Sequence, residues 1–356
     1  MLNLKDREWR VFIIEDLFDI KTVKGLPIEK FQDGKLPYIS TSAENNGLVS
    51  FVTATKNEIS SKNAISINPI NGKAFYHEYD FVGRGFSGAS INLLYRENMN
   101  RHIALFLTQA IEHTATLKAS YANLFNSNRL RKGKFLLPVN ANEQPNWQFM
   151  EQYAHEREQL QLKEYTAHAE KILADIGHVD GVLALKEKEW KPFVLSSIFR
   201  LETGKGKGLN HLIQTPDGVS YLGATNRNNG VLCYVKPDDK LLQQGNGIAF
   251  IRNGEGSIGY CVYKSEQFIA SSDLTIGYSD KLNRYSGLFI TTIADTVRGK
   301  YNFNYKRSEK RLSKEFLNLP INEFGEPDWV YMEQYTKTIT NQQLKAYLGY
   351  VCRSLS

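Results

Sequence analysis

The chain has 356 residues, of which 42% are hydrophobic and 23% charged, so it is long enough for two folded domains and too apolar to be disordered throughout. It has no apolar run that could span a membrane and no signal-like apolar stretch near its start, and its three widely separated cysteines exclude a disulfide framework and a thiolate zinc site. These features predict a cytoplasmic protein without membrane contact, and the net charge of +6 permits binding to nucleic acid without requiring it.

The most informative feature is an internal repeat, because motifs recur in the same order 181 to 183 residues apart. The matched motifs are Glu8-Trp9-Arg10 and Glu189-Trp190-Lys191, Asn45-Asn46-Gly47 and Asn228-Asn229-Gly230, Asn71-Gly72 and Asn253-Gly254, Leu137-Pro138 and Leu319-Pro320, and Met150-Glu151-Gln152-Tyr153 and Met332-Glu333-Gln334-Tyr335. Chance could supply one such pair but not the whole ordered set. We therefore predict a tandem duplication of one unit of about 180 residues.

Each repeat begins with about 140 residues of mostly extended chain, interrupted by turns rich in Gly and Asn. One amphipathic helix follows late in this part, with apolar residues at helical spacing. These residues are Ile103, Phe106, Leu107, Ala110 and Ile111 in the first repeat, and Leu288, Phe289, Thr292, Ile293 and Val297 in the second. Each repeat then closes with a Pro-x-Trp entry into a long helix, where Asn146 and Asp328 are the predicted N-caps.

This order of elements predicts an α/β (α+β) fold in four segments. The segments are a first domain at 1–145, a central long helix at 146–180, a second domain at 181–327 and a C-terminal long helix at 328–356. Residues 1–145 carry 18 Lys and Arg against 14 Asp and Glu, and residues 187–327 carry 19 against 15. The excess positive charge therefore belongs to the two domains.

No catalytic residue and no metal ligand can be assigned from the sequence. Asp217, Asp238 and Lys240 formally match a nuclease motif in which carboxylates hold Mg²⁺ beside a lysine. That motif requires the second acid and the lysine on a core strand, whereas 236–240 has the composition of a solvated turn. The seven histidines show no paired metal-ligand spacing. A self-contained Mg²⁺-dependent nuclease is therefore kept only as an alternative.

The duplicated, basic domains favour recognition of double-stranded DNA, because Lys and Arg neutralise phosphates and Arg and Asn bind base edges. The candidate residues of the first repeat are Lys21, Lys24, Asn45, Asn46, Lys73, Arg84, Arg129, Arg131 and Lys132. Those of the second are Lys205, Lys207, Asn226, Arg227, Asn228, Arg252, Asn253, Arg298, Lys300, Asn302, Asn304 and Lys306, with Arg307 at the end of the same basic stretch.

Two simpler interpretations of these residues remain open. Asn-Gly pairs are common in ordinary turns, and single basic residues are common on solvated surfaces. In the stretch 298–307, Tyr301, Phe303 and Tyr305 alternate with polar residues, which is also typical of a half-buried strand.

The ordered set of motifs resembles the specificity (S) subunits of type I and BcgI-like type IIB restriction–modification systems. The resemblance rests on Trp-x-x-Phe, Asn-Asn-Gly, Asn-Gly, Leu-x-Leu-Pro and Pro-x-Trp-x-x-Met-Glu-Gln-Tyr, each present twice, and it covers nearly the whole chain. The length and short termini are more similar to the BcgI-like members. The resemblance implies two target recognition domains, each reading one half of a bipartite DNA site, and two long helices that pack as an antiparallel coiled coil.

The resemblance also implies a non-catalytic subunit that works with a partner methyltransferase. The partner would methylate an adenine at N6 and would hold the S-adenosylmethionine, the Mg²⁺ and the nuclease, so no cofactor is expected in this chain. Helix packing and partner contacts are assigned to Trp147, Met150, Tyr153, Trp329, Met332 and Tyr335. Because the repeats diverge between their matched motifs, an asymmetric site is expected. A duplicated protein-binding scaffold without DNA affinity is the second alternative.

Overall fold

The structure, a computed structural model, describes residues 2–23, 25–86, 89–179, 181–206, 208–254, 256–302 and 304–355, without the side chains of 353–355. The chain divides into two compact units, Met1–Tyr165 (unit 1) and Thr166–Ser356 (unit 2). Within the described ranges, no helix is both long and apolar enough to cross a membrane.

Unit 1 contains ten strands and three short or medium helices, and a long helix begins within it. The elements are β1 (Trp9–Ile13), α1 (Ile14–Leu17), β2 (Asp19–Thr22), β3 (Gln32–Ile39), β4 (Leu48–Thr53), β5 (Ile59–Ser60), β6 (Ala64–Ile67), β7 (Ala74–His77), β8 (Phe81–Gly83), β9 (Asn92–Tyr95), α2 (Arg101–Thr116), α3 (Ser127–Arg131), β10 (Lys134–Pro138) and α4 (Trp147–Ile176).

Unit 2 repeats this order element by element. The elements are β11 (Trp190–Val194), α5 (Leu195–Ile198), β12 (Arg200–Thr203), β13 (Gln214–Leu222), β14 (Val231–Val235), β15 (Leu242–Gln243), β16 (Gly247–Ile251), β17 (Cys261–Lys264), β18 (Phe268–Ala270), β19 (Leu274–Tyr278), α6 (Arg284–Asp295), α7 (Glu309–Ser313), β20 (Phe316–Pro320) and α8 (Trp329–Leu355).

The two units have the same sheet topology. Unit 1 forms the sheets β1-β10, β2-β9-β6-β7 and β4-β3-β8-β5, and unit 2 forms β11-β20, β12-β19-β16-β17 and β14-β13-β18-β15. Each unit has one parallel pair, β3 with β8 and β13 with β18. The predicted duplication and the predicted α/β (α+β) class are confirmed.

The medium helix of each unit packs into the main core. In α2 the buried residues include Ile103, Leu107 and Ile111, as the spacing predicts. In α6 the prediction was wrong by about one position, because Phe289, Ile290 and Ala294 are buried whereas Leu288 is 41% exposed. Val297 lies beyond the end of α6, in a 3₁₀ helix at Thr296–Lys300.

The long helices begin at the predicted caps. The Asn146 side chain accepts a hydrogen bond from the Phe149 N–H at 3.1 Å, and Asp328 accepts one from Tyr331 N–H at 3.0 Å. The first turns pack on the medium helix of their own unit. Asn100, the N-cap of α2, donates to Glu151 of α4, and Asn283, the N-cap of α6, donates to Glu333 of α8, each at 2.7 Å. The predicted pairing of the two long helices with each other stays a prediction.

Candidate nucleic-acid interface

Five loops of unit 2 lie against one another at one end of its four-stranded sheets. We call them the loop surface of unit 2: residues 204–208, 223–230, 252–260, 271–273 and 296–308, without 207, 255 and 303. Asn253 Nδ2 donates to Asp273 Oδ1 at 3.0 Å, and Arg252 Nη2 donates to Ser272 O at 2.6 Å. The Ser257 hydroxyl contacts Asn226 Oδ1 at 3.3 Å. The topology therefore brings together residues that are far apart in the sequence.

The same loops meet in unit 1, and we call them the loop surface of unit 1: residues 23–27, 40–47, 68–73, 84–91 and 117–126, without 24, 87 and 88. Asn68 Nδ2 donates to Thr41 O at 2.6 Å, and Phe125 N–H donates to Pro69 O at 2.8 Å. Arg84 N–H donates to Ile39 O at 2.8 Å. The two loop surfaces are equivalent in construction.

The glycines of the Lys205 loop serve packing within unit 2. The Gly206 N–H donates to Ala270 O at 2.7 Å, and a Cβ atom added at Gly204 would lie 2.1 Å from Ser271 O. We expected glycine here to let the backbone approach a DNA duplex. The structure gives a different reason, close approach to the next loop, and it leaves Lys205 exposed.

The Asn-Asn-Gly motifs form a left-handed turn in both units. The φ angles are 51°, 52° and 76° at Asn45, Asn46 and Gly47, and 48°, 51° and 77° at Asn228, Asn229 and Gly230. Asparagine and glycine tolerate this conformation better than other residues. The turn is therefore a sufficient reason for the motif. The four asparagine side chains are exposed, so DNA contact by Asn45, Asn46 and Asn228 stays a prediction.

The predicted cations of unit 1 are mostly engaged within the unit. Lys73 forms an ion pair with Glu112 at 2.6 Å, and Lys21 pairs with Asp19 at 3.3 Å while staying 62% exposed. Arg84 Nη1 donates to Ala89 O at 2.7 Å. Arg129 donates to the carbonyl oxygens of Lys118, Asn123 and Leu124, so it holds the α2–α3 loop together.

Only part of the unit 1 set falls on its loop surface. Asn45, Asn46, Lys73 and Arg84 lie there, whereas Lys21, Arg129, Arg131 and Lys132 lie on β2, α3 and the residue after α3. Arg131 Nη2 donates to Ile20 O at 3.1 Å, and Lys132 is exposed. Lys24 lies outside the described residues, as does Lys207 in unit 2.

The described candidates of unit 2 all lie on its loop surface. Lys205, Asn226 and Arg227 are exposed. Arg298 Nη1 donates to the Tyr260 hydroxyl at 2.8 Å, and Asn302 accepts from the Asn304 and Tyr305 N–H groups. The remaining candidates there are Asn228, Arg252, Asn253, Lys300 and Lys306.

The interpretation of 298–307 as a strand was wrong. Thr296–Lys300 is a 3₁₀ helix, and it is followed by a turn closed by a bridge between Asn302 and Tyr305; Phe303 lies outside the described residues. The inclusion of Arg307 among the DNA-contact candidates was also wrong. Its side chain is fully buried and pairs with Glu315, and its Nη1 donates to Gly259 O at 3.0 Å. Arg307 therefore anchors the loop surface from below.

The Arg307–Glu315 pair occupies a position that is apolar in unit 1. The matched residues are Phe125 and Gly133, where an added Cβ at Gly133 would lie 3.3 Å from Phe125 Cζ. The equivalence is exact in the backbone, because Leu195 N–H donates to Glu315 O as Ile14 N–H donates to Gly133 O. Tyr301 also donates to Glu315, and burial together with that hydrogen bond raises the pKa of Tyr301.

A basic concavity beside this pair was missed at the level of sequence. It has a volume of about 620 Å³, and its cationic lining residues are Lys300, Lys310, Arg311 and Lys314. Its one carboxylate, Glu315, is paired with Arg307. The repeat offset of 182 could have found three of these residues, because Lys310, Arg311 and Lys314 match Asn128, Arg129 and Lys132. Arg311 also repeats the role of Arg129, since it donates to the loop carbonyl of Lys306 at 2.8 Å.

The formal nuclease motif is not assembled. Asp238 and Lys240 lie in an exposed turn in which the Lys240 N–H donates to Asp238 Oδ1 at 2.9 Å, so the predicted turn is confirmed. Asp217 lies on β13 where its pairing with β14 is irregular. Among the described residues, no group of three His, Cys, Asp or Glu side chains is placed to hold a metal ion.

The residues assigned to helix packing lie against their own units. Met150 and Met332 are fully buried in the two main cores. Tyr153 meets Phe106 edge to face at 5.9 Å, and Tyr335 meets Phe289 in the same way at 5.8 Å. Trp147 and Trp329 are partly buried against the same cores. Contact of any of these six residues with a partner stays a prediction.

The chain belongs to the family of type I restriction–modification DNA specificity domains. The family model matches residues 6–165 and 187–348, one copy in each half of the chain. The chain is thus a DNA specificity subunit of a restriction–modification system with two target recognition domains, which confirms the resemblance noted in the sequence.

Two further comparisons agree with the family. The type II restriction enzyme specificity subunit S.BcgI of Heyndrickxia coagulans is 28% identical over 349 residues, which is 94% of this chain and 95% of that relative. The crystal structure of the type I S subunit from M. genitalium has 15% identity and a TM-score of 0.51, and the match covers 99% of this chain and 94% of that one. The second comparison supports the fold.

Proposed function

We propose that this chain is the non-catalytic subunit that reads a bipartite, asymmetric site in double-stranded DNA. Each unit contacts one half of the site with its loop surface. The observation that carries the proposal is the pair of equivalent loop surfaces with different chemistry in a chain that holds two DNA specificity domains. At the matched position before the Asn-Asn-Gly turn, unit 1 has Glu44 and unit 2 has Arg227, and both are exposed. Opposite charges at one station favour different bases.

Basic residues would supply most of the affinity. Lys205, Arg227 and Lys300 are exposed on the loop surface of unit 2, and the basic concavity adds Lys310 and Lys314 beside it. Each cation that neutralises a phosphate releases a counterion, so binding should weaken steeply with salt. Base discrimination would come from Arg and Asn side chains such as Arg252 and Asn253.

The same proposal assigns the chemistry to a partner. Bound to DNA in the cytoplasm, the chain would place an adenine before an N6-adenine methyltransferase subunit that flips the base. That subunit would hold the S-adenosylmethionine, the Mg²⁺ and the nuclease. Membership of a specificity-subunit family supports this division of labour.

A selection experiment tests the proposal. The purified chain, with and without the methyltransferase subunit of the same system, is mixed with a random duplex pool at moderate salt, and the retained DNA is sequenced. Recovery of two short motifs at a fixed spacing is the expected result. No enrichment under either condition would favour a protein-binding scaffold, and Mg²⁺-dependent cleavage by the chain alone would favour a self-contained nuclease.

A further inference from the structure

Unit 1 has an open apolar groove of about 990 Å³ that the DNA-reading proposal does not use. It lies along the outer face of the β1–β10 sheet and is bordered by α2 and α4. Its main apolar lining residues are Trp9, Val11, Leu105, Phe106, Leu136 and Tyr153. Trp9 stacks on Phe106 at 6.3 Å and Phe106 meets Tyr153 edge to face, so the floor is a fixed aromatic surface.

The groove exposes large apolar side chains that the fold does not require. Val11 and Leu136 face each other directly in the β1–β10 register, and they are 58% and 52% exposed. At the matched positions of the β11–β20 pair, unit 2 has Pro192 and Asn318. The same architecture therefore forms without an apolar pair there. A contiguous exposed apolar surface of this kind is typical of a protein interaction site.

The rim of the groove is positively charged. Lys134 and Arg157 line it and are exposed, and neither forms an ion pair within the described part of the chain. Arg157 lies over the Tyr153 ring at 5.1 Å. The carboxylate on the rim, Glu158, is already bound by Arg101 at 3.0 Å and by His102 at 2.8 Å. The groove therefore presents an apolar floor with unneutralised cations at its edge.

We infer that this groove is the docking site for an amphipathic helix of the methyltransferase subunit, with an apolar face and acidic flanking residues. The inference rests on the proposed function for the existence of that partner. Side chains rather than a free strand edge line the groove, which suits a helix laid between two helices on a sheet face. The acidic flanks follow from charge complementarity with Lys134 and Arg157.

Binding of the methyltransferase subunit to full-length variants tests the inference by calorimetry. Leu136→Asp and Val11→Asp remove an apolar anchor and add a charge that opposes the acidic flanks, so each should weaken the complex at least about tenfold. Asn318→Asp is the matched control in unit 2 and should bind like the wild type. The charge reversal Arg157→Glu should weaken binding and flatten its dependence on salt, since it removes a rim charge.

The outcomes separate this inference from the proposed function. If the wild-type chain binds the methyltransferase and Leu136→Asp binds equally well, the groove is not the docking site. If the wild-type chain does not bind the methyltransferase at all, the proposed partner falls and the inference falls with it. Loss of self-association in Leu136→Asp, with methyltransferase binding unchanged, would show that the groove joins two copies of this chain. DNA affinity of the isolated chain should stay unchanged in every groove variant.

Discussion

Replacement of Arg307 by Ala should destabilise unit 2 by about 3–5 kcal/mol, because it leaves a buried carboxylate without its counter-charge. The Arg307 and Glu315 side chains are 0% and 3% exposed, and Arg307 Nε donates to Glu315 Oε2 at 3.0 Å beside a second bond from Nη2. The charge at Glu315 has no solvent to replace the guanidinium. The Gly259 carbonyl also loses its donor.

The double variant Arg307→Phe with Glu315→Gly should be less damaging than the single one. It installs the residues that unit 1 has at the matched positions, Phe125 and Gly133, and removes both charges together. What remains is the loss of hydrogen bonds to Gly259 O and from Tyr301, at about 1 kcal/mol each. The expected total is about 2 kcal/mol, below that of Arg307→Ala alone.

Hydrogen–deuterium exchange of the full chain measures this difference locally. Peptides from unit 2 report the free energy of opening, and peptides from unit 1 serve as a control within the same sample. The reasoning is refuted if Arg307→Ala is at least as stable as the double variant, because the cost would then not come from an isolated buried charge.

Three further predictions concern single residues. Burial lowers the pKa of His77 to about 4, so the neutral side chain stabilises unit 1 above about pH 6.5; that stability, at most about 3 kcal/mol, should be lost as the pH falls toward 4, and His77→Gln should flatten the loss in urea titrations. Asn46→Gly should keep the left-handed turn, whereas Asn46→Val should cost about 1–2 kcal/mol of unfolding free energy; a changed DNA motif in a folded Asn46→Gly chain would show that the side chain contacts a base. Lys314→Ala should lower the slope of log affinity against log salt by about 0.9 if Lys314 contacts a phosphate, and an unchanged slope would exclude that contact.

The fold was largely predictable because the duplication repeats its strongest signals. Asn146 and Asp328 cap the long helices as their sequence positions indicate. The phase of α6 was not predictable, because Leu288 and Phe289 are both apolar and only the packing of Phe289 on Tyr335 decides which one is buried. The short segments around 296–308 were also missed, because aromatic and polar residues alternate in a turn as they do in a strand.

The candidate interface was predictable only in outline. Sequence places Lys205, Arg227 and Arg252 in turns, but it does not show that three loops far apart in the chain meet. Nor does it distinguish an exposed arginine from a buried one. Arg307 follows Lys306 directly, yet its side chain points into the core because Glu315 lies there. Charge counting treats the two residues alike, whereas a three-dimensional arrangement separates a surface cation from an anchor.

Selection of duplex DNA by the Arg252→Ala chain with its methyltransferase tests the central claim most directly. Lys281→Ala, in an exposed ion pair with Glu326 away from the loop surface, is the matched control. If each unit reads one half-site, Arg252→Ala should relax the bases of one motif and leave the other motif and the spacing intact. If both motifs change together, the two units do not read separate halves of the site.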